Sequence, residues 1–257
     1  MTAETFAFHG SRGHYLVGRL EIPETEPQGW AILAHCFTCG KDSLASTRLA
    51  RALAARGIGV LRFDFAGLGS SEGNFSDTTF AADVADVVAA GNAMSHAGKP
   101  PSILIGHSLG GAAALMAAGE LPGIKAVATL GAPFDTSHVL HQFDPQSLQT
   151  IQAQGHAEVL LAGRPFIVRK SFVDDLGNHD LAARIAQLRL PLLVLHSPLD
   201  TTVGIDNAAR IFSVAKHPKS FISLDNADHL LTRREDADYA AAMISTWAGR
   251  YLMRPTS

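Results

Sequence analysis

The pentapeptide Gly106-His107-Ser108-Leu109-Gly110 holds the side chain best suited to nucleophilic chemistry in this sequence. An apolar run, Ser102-Ile103-Leu104-Ile105, precedes it, and Gly111 and an alanine-rich stretch follow. That pattern reads as a strand, a sharp turn and a helix. Such a reversal forces the central residue into a strained backbone conformation, and the flanking glycines let strand and helix pass closely. The Ser108 hydroxyl is then expected on the turn, above a helix N-terminus whose dipole favours developing negative charge.

A serine hydroxyl is a weak nucleophile until a base takes its proton and a carboxylate orients that base. In open parallel sheets such residues gather beyond the carboxyl ends of the strands, in the chain order serine, acid, histidine. Asp200 follows the apolar run Leu192–His196, and His229 follows Phe221–Leu224, so Ser108, Asp200 and His229 are the expected catalytic residues. Asp135, after the run Lys125–Ala132, is the rival acid. Asp228 is too close in sequence to reach the His229 ring usefully. Asp206 opens a helix and fits a first-turn carboxylate. His107 and His196 fit packed or hydrogen-bonded structural roles. His138 and His141 could ligate a metal with Asp144 or His156, but no metal-ligand pattern supports that reading, and no metal or cofactor is expected.

An oxyanion needs donors. The backbone N–H of Leu109, just after the nucleophile, is one. The loop His35-Cys36-Phe37-Thr38, after a buried strand, supplies the other, and the Phe37 N–H is the expected donor. Cys36 and Cys39 bracket it. Two reduced thiols are the expected state in a cytoplasmic protein. The alternative is a redox pair: a disulfide would draw the Cα atoms to roughly 4.4–6.8 Å and displace the Phe37 N–H between them.

The elements that must position these groups follow from the rest of the chain. Its 257 residues suffice for one α/β domain with a large core, and 47% are hydrophobic against 18% charged, as in a globular enzyme. A net charge of −3 provides no electrostatic argument for nucleic acid or an anionic membrane surface. Two cysteines make neither a disulfide scaffold nor a structural zinc site. No signal peptide and no membrane-spanning run is visible, which makes the cytoplasm the expected location. Gly67-Leu68-Gly69-Ser70-Ser71-Glu72 has Glu where the third glycine of a dinucleotide fingerprint belongs, and no phosphate-binding loop pattern occurs.

Residues 5–9 and 15–22 read as an antiparallel opening hairpin. Strands are expected at 29–35, 59–64, 125–132, 192–196 and 221–224, and helices at 44–56, 79–97, 205–215 and 236–251. This alternation implies a mostly parallel sheet, eight-stranded with the hairpin and the strand before Ser108, covered by helices on both faces. Between about 134 and 186 the alternation breaks. The stretch is too long for an ordinary connection and reads as a small cap insertion, with a β-hairpin at 158–161 and 166–169, within a single domain spanning 1–257.

Several stretches together resemble the α/β-hydrolase superfamily: Ala34-His35-Cys36-Phe37-Thr38-Cys39-Gly40-Lys41-Asp42, Arg62-Phe63-Asp64-Phe65-Ala66-Gly67-Leu68-Gly69, the serine pentapeptide with Gly111, Gly131-Ala132-Pro133-Phe134-Asp135, Leu199–Asn207 and Ala227-Asp228-His229-Leu230-Leu231. The Cys-Phe-Thr-Cys loop more narrowly resembles the hydrolase half of bifunctional α/β-hydrolase/OsmC proteins. The resemblance implies the α/β-hydrolase fold and the same three catalytic residues, Ser108, Asp200 and His229. No peroxide-reducing OsmC segment occurs in these residues, so it would be a separate or missing partner. The expected function is a serine hydrolase, a carboxylesterase acting on small acyl esters. Thioesterase and acyltransferase chemistry on the same residues are the alternatives, and a catalytically silent binding module is the alternative from another class.

Overall fold

The computed structural model describes residues 1–252. The chain opens with an antiparallel pair, β1 (Thr2–His9) and β2 (Tyr15–Ile22). Then follow β3 (Gly29–Ala34), α1 (Leu44–Ala54), β4 (Ile58–Phe63), α2 (Phe80–His96), β5 (Pro101–His107), α3 (Leu109–Ala117) and β6 (Ala126–Leu130). An inserted segment carries α4 (Pro145–Gln154), the hairpin β7 (His156–Leu161) and β8 (Arg164–Arg169), α5 (Lys170–Leu176) and α6 (Leu181–Gln187). The chain closes with β9 (Leu192–His196), α7 (Asp206–Val214), β10 (Lys219–Ser223) and α8 (Arg234–Leu252).

Eight strands form one sheet in the order β1-β2-β4-β3-β5-β6-β9-β10. From β4 to β10 every neighbouring pair is parallel, while β2 joins β4 antiparallel. The expected fold, sheet and helical covering are therefore present. The order also fixes where a site can form. The chain moves outward from β3 to β4, then returns across β3 to lay down β5. The C-terminal ends of β3 and β5 thus flank a switch point, where diverging loops leave a crevice. The Phe37 loop leaves β3 there, and Ser108 leaves β5.

The sheet separates two apolar layers. Leu49, Leu53, Ile103, Ile105, Leu195 and Ile244 belong to the layer under α1 and α8. Phe63, Phe80, Leu104, Leu115, Val194 and Ile211 belong to the other, which continues into the inserted segment through Val159, Leu161, Val168 and Phe172. Alternation of outward and inward side chains explains the dual burial: Leu104 faces one layer while Ile103 and Ile105 face the other.

The insertion holds more than the hairpin that periodicity reveals. Its helices are short, with seven residues each in α5 and α6, and so carry little periodic signal. Local chemistry delimits α4: the Asp144 carboxylate caps it by accepting the Ser147 N–H, Pro145 opens it, and Gly155 ends it at φ +84°. The hairpin is longer than expected. Its loop is only Ala162-Gly163, both at positive φ, a geometry matched to the twist of two antiparallel strands.

Candidate active site

Ser108 stands at φ +56° and ψ −128°, a region that non-glycine residues occupy only when the surroundings impose it. Its N–H is held by the Leu130 carbonyl at 2.9 Å, so β6 fixes the turn. A Cβ on Gly106 would come within 2.3 Å of the Gly110 carbonyl oxygen, and one on Gly110 within 2.3 Å of the His35 carbonyl oxygen. The two glycines are thus required for α3 to sit against β5 and the Phe37 loop. Ser108 makes no capping bond to its own helix, so its hydroxyl is uncommitted.

Asp200 and His229 come together from the loops after β9 and β10. His229 Nδ1 donates to Asp200 Oδ2 at 2.7 Å. The other carboxylate oxygen, Oδ1, accepts the Thr202 N–H at 2.9 Å and the Val203 N–H at 2.8 Å. Burial works to raise the Asp200 carboxyl, but the His229 hydrogen bond and charge, with the two backbone donors, outweigh it and hold the group below its ordinary value. Gly131, at φ +54°, leaves room for the pair: a Cβ there would lie 3.1 Å from Asp200 Oδ2 and 3.3 Å from His229 Nδ1. The elbow also grips the histidine loop, since His107 Nε2 donates to the His229 carbonyl at 2.7 Å and the two rings lie 5.1 Å apart. Burial, then the His229 charge, pushes His107 down to about 4, so at neutral pH it is an uncharged donor.

The rival acids point elsewhere. The Asp135 carboxylate accepts the Ser137 N–H at 2.8 Å, as a cap for the 3-10 turn 136–142. Asp228 accepts from the Thr232 N–H at 2.9 Å, and Asp206 lies in the first turn of α7. His138 and His141 stack edge to face, with His138 Nε2 bonded to the Thr202 carbonyl. Among the described residues no three His, Cys, Asp or Glu side chains converge as metal ligands.

The two expected oxyanion donors border one cavity of about 20 Å³, walled by Phe37, Phe65, Leu68, Phe75, Leu109 and Ala113, with Thr78 and Asp83 as its polar side. Neither the Phe37 nor the Leu109 N–H is bonded to a backbone acceptor among the described residues. The state of the cysteines differs from the expected pair of free thiols. Cys36 and Cys39 are joined as a disulfide, with Cα atoms 5.4 Å apart. The bridge closes a tight turn: Cys39 N–H donates to the Cys36 carbonyl at 3.1 Å, and Thr38, held at φ +57°, folds the chain back within four residues. In this bridged state the Phe37 N–H makes no backbone hydrogen bond among the described residues and stays available as a donor.

The inserted segment packs on this loop through aromatic contacts. Phe172 stacks on Phe37 at 5.3 Å, Phe143 lies 6.4 Å from it, and Phe166 packs on Phe75 at 4.6 Å. Arg164 donates to the Thr38 carbonyl and lies over the Phe166 ring. Asp83 is a residue without a sequence signal. Burial, then the nearby Asp86 charge, raises it to about 8 against a hydrogen bond from Thr78. Its helical position alone looks like an ordinary first-turn carboxylate.

Residues 31–242 match the Alpha/beta hydrolase family. The chain belongs to that family. The esterase domain of a Rhodothermus marinus protein is 47% identical, with a TM-score of 0.81 over 98% of this chain and 100% of that one. Est1E from Butyrivibrio proteoclasticus, solved with ferulic acid, superimposes with a TM-score of 0.83 over 96% of this chain and 99% of that one; at 18% identity this likeness concerns the fold. A mitochondrial protein of Rattus norvegicus named palmitoyl-protein thioesterase ABHD10 is 25% identical over 77% of this chain and 66% of its own length. Among the described residues no helix is long and apolar enough to cross a membrane.

Proposed function

We propose that this protein is a serine hydrolase, a carboxylesterase of short acyl esters. The observation that carries the reading is the 2.7 Å Asp200–His229 bond, formed from two separate loops at the strand ends where strained Ser108 also sits. In this reading Ser108 Oγ attacks the ester carbonyl as His229 Nε2 takes its proton. The resulting oxyanion is held by the Phe37 and Leu109 N–H groups. His229 then returns the proton to the leaving alcohol, and water, deprotonated by the same nitrogen, releases the acid from the acyl-enzyme. Among the described residues the His229 ring is bonded through Nδ1 alone, and in this reading its Nε2 meets Ser108 Oγ in the substrate complex, as catalytic hydrogen bonds commonly tighten there.

The cavity bordering the expected oxyanion donors has apolar walls from Phe65, Leu68, Phe75 and Ala113, which suits the alkyl part of a small acyl group. A thioester reading draws on the name of the Rattus norvegicus relative. Acyl transfer would use the same three residues with an alcohol in place of water. Cys36 and Cys39 are read as a redox-sensitive constraint on the Phe37 donor.

The deciding experiment is labelling with a fluorophosphonate, alongside turnover of p-nitrophenyl esters and acyl thioesters of increasing chain length. The expected result is a single adduct on Ser108, lost in Ser108→Ala together with ester turnover, and a preference for the shortest esters. A folded wild-type protein that neither labels nor turns over any member of the series is a binding module, and the hydrolase reading is then wrong.

A further inference from the structure

We propose that His196 is a positioning residue for the acid of this site: as a neutral ring it anchors the turn that aims Asp200 at His229. The inference rests on the serine hydrolase reading.

His196 is the last residue of β9, fully buried, four positions before Asp200. Its Nε2 lies 2.7 Å from the Val203 carbonyl oxygen. A carbonyl only accepts, so that nitrogen carries the proton. The same residue, Val203, donates its N–H to Asp200 Oδ1. Val203 is therefore held from both sides, with its N–H on the carboxylate and its C=O on the imidazole. Asp200 Oδ2, the oxygen facing His229, lies 3.6 Å from His196 Nε2, beyond hydrogen-bonding range. The histidine thus reaches the acid through the turn rather than by competing with His229 for the carboxylate.

Neutrality is essential to that role. His196 Nδ1 is buried with no hydrogen-bond partner, so a second proton there would have nothing to accept it. Burial lowers the ring's affinity for that proton, against the pull of the Val203 carbonyl and the Asp200 charge, while His229 opposes and Asp206 favours a positive ring. A cationic His196 beside Asp200 would draw the carboxylate away from His229. The backbone of His196 serves the same assembly, because its carbonyl accepts the Leu224 N–H at 2.9 Å, at the start of the loop that carries His229.

The test compares His196→Leu, His196→Gln and His196→Asn in the full chain. Glutamine places an amide N–H near the Nε2 position, whereas asparagine reaches only as far as Nδ1 and leaves the Val203 carbonyl unpaired. The readouts are kcat and KM on a short p-nitrophenyl ester across pH, with thermal melting. His196→Leu and His196→Asn should lower kcat on the order of 10–100-fold, as losses of groups that orient reacting residues do, with KM within about twofold on the same reasoning. The acid limb of kcat/KM should move to lower pH in both, because a misaimed Asp200 stabilises protonated His229 less. His196→Gln should recover most of kcat and the wild-type limb. Should His196→Leu fail to fold, the contrast between Gln and Asn decides. Equal losses in Gln and Asn with an unmoved acid limb overturn the proposal, as does wild-type kinetics in Asn. Fluorophosphonate labelling of the wild type separates the two levels. Labelled Ser108 with an unmoved limb defeats this inference alone, and absent labelling defeats the hydrolase reading beneath it as well.

Discussion

Replacing Asp200 by asparagine should disable catalysis while leaving the fold intact, and the reason can be worked from the hydrogen bonds. Asp200 Oδ1 accepts two backbone N–H groups, from Thr202 and Val203, so an asparagine must place its amide oxygen there. Its NH2 group then occupies the Oδ2 position, 2.7 Å from His229 Nδ1. Two donors cannot face each other. His229 is forced to accept at Nδ1 and to carry its proton on Nε2, the nitrogen needed to receive the Ser108 proton. The expected loss in kcat is about 10⁴-fold, as for wrong-tautomer variants of other serine hydrolases. That equals about 5.5 kcal/mol of transition-state stabilisation. Both backbone bonds survive, so melting should stay close to wild type. Steady-state kinetics on a short p-nitrophenyl ester, with circular dichroism melts, would measure both. Asp135→Asn serves as the control and should cost less than about tenfold, being a surface cap. Activity in Asp200→Asn within about tenfold of wild type, or a larger loss in Asp135→Asn, would refute the assignment of the acid.

Other outcomes follow from the same structure. Asp83 is raised to about 8, so the folded protein holds a proton that the unfolded chain releases above its ordinary carboxyl value near 3.8, and its burial becomes less favourable as pH rises from there to about 8. Asp83→Asn should therefore raise Tm more at pH near 8 than at pH below about 3, where both states are largely protonated; an equal change at both would contradict this. Phe75→Ala should open the cavity beside Phe37 and shift relative kcat/KM toward longer acyl chains by roughly tenfold per added methylene, read from the ester series. Reduction of Cys36–Cys39 by a dithiol, which is itself oxidised to a disulfide, should lower kcat with little change in KM and reverse on reoxidation. Cys39→Ser should show the lower kcat permanently and lose up to about 2 kcal/mol of stability from the opened loop; full activity in the reduced protein would make the bridge merely structural.

The sequence by itself determined the parts governed by local rules. Ser108 was legible because a strand-to-helix reversal demands glycine on either side, and Gly106 and Gly110 have no room for a Cβ. The order of strands and helices was legible because period-2 and period-3.6 patterns report burial directly, and the alternation left little choice but a parallel sheet. Asp200 and His229 were legible as loop residues after two apolar runs. Tertiary structure decided what depends on approach between distant segments. That Asp200 rather than Asp135 meets His229 is a matter of strand order, since β9 and β10 are neighbours and bring their two loops together. The stacking of Phe172 on Phe37 and the grip of Arg164 on Thr38 join segments more than a hundred residues apart, and the raised Asp83 carboxyl reflects its burial and the neighbouring Asp86 charge. The state of Cys36 and Cys39 was likewise beyond spacing alone, for it turns on the positive φ of Thr38, a backbone angle that a non-glycine residue adopts only when the surrounding fold requires it.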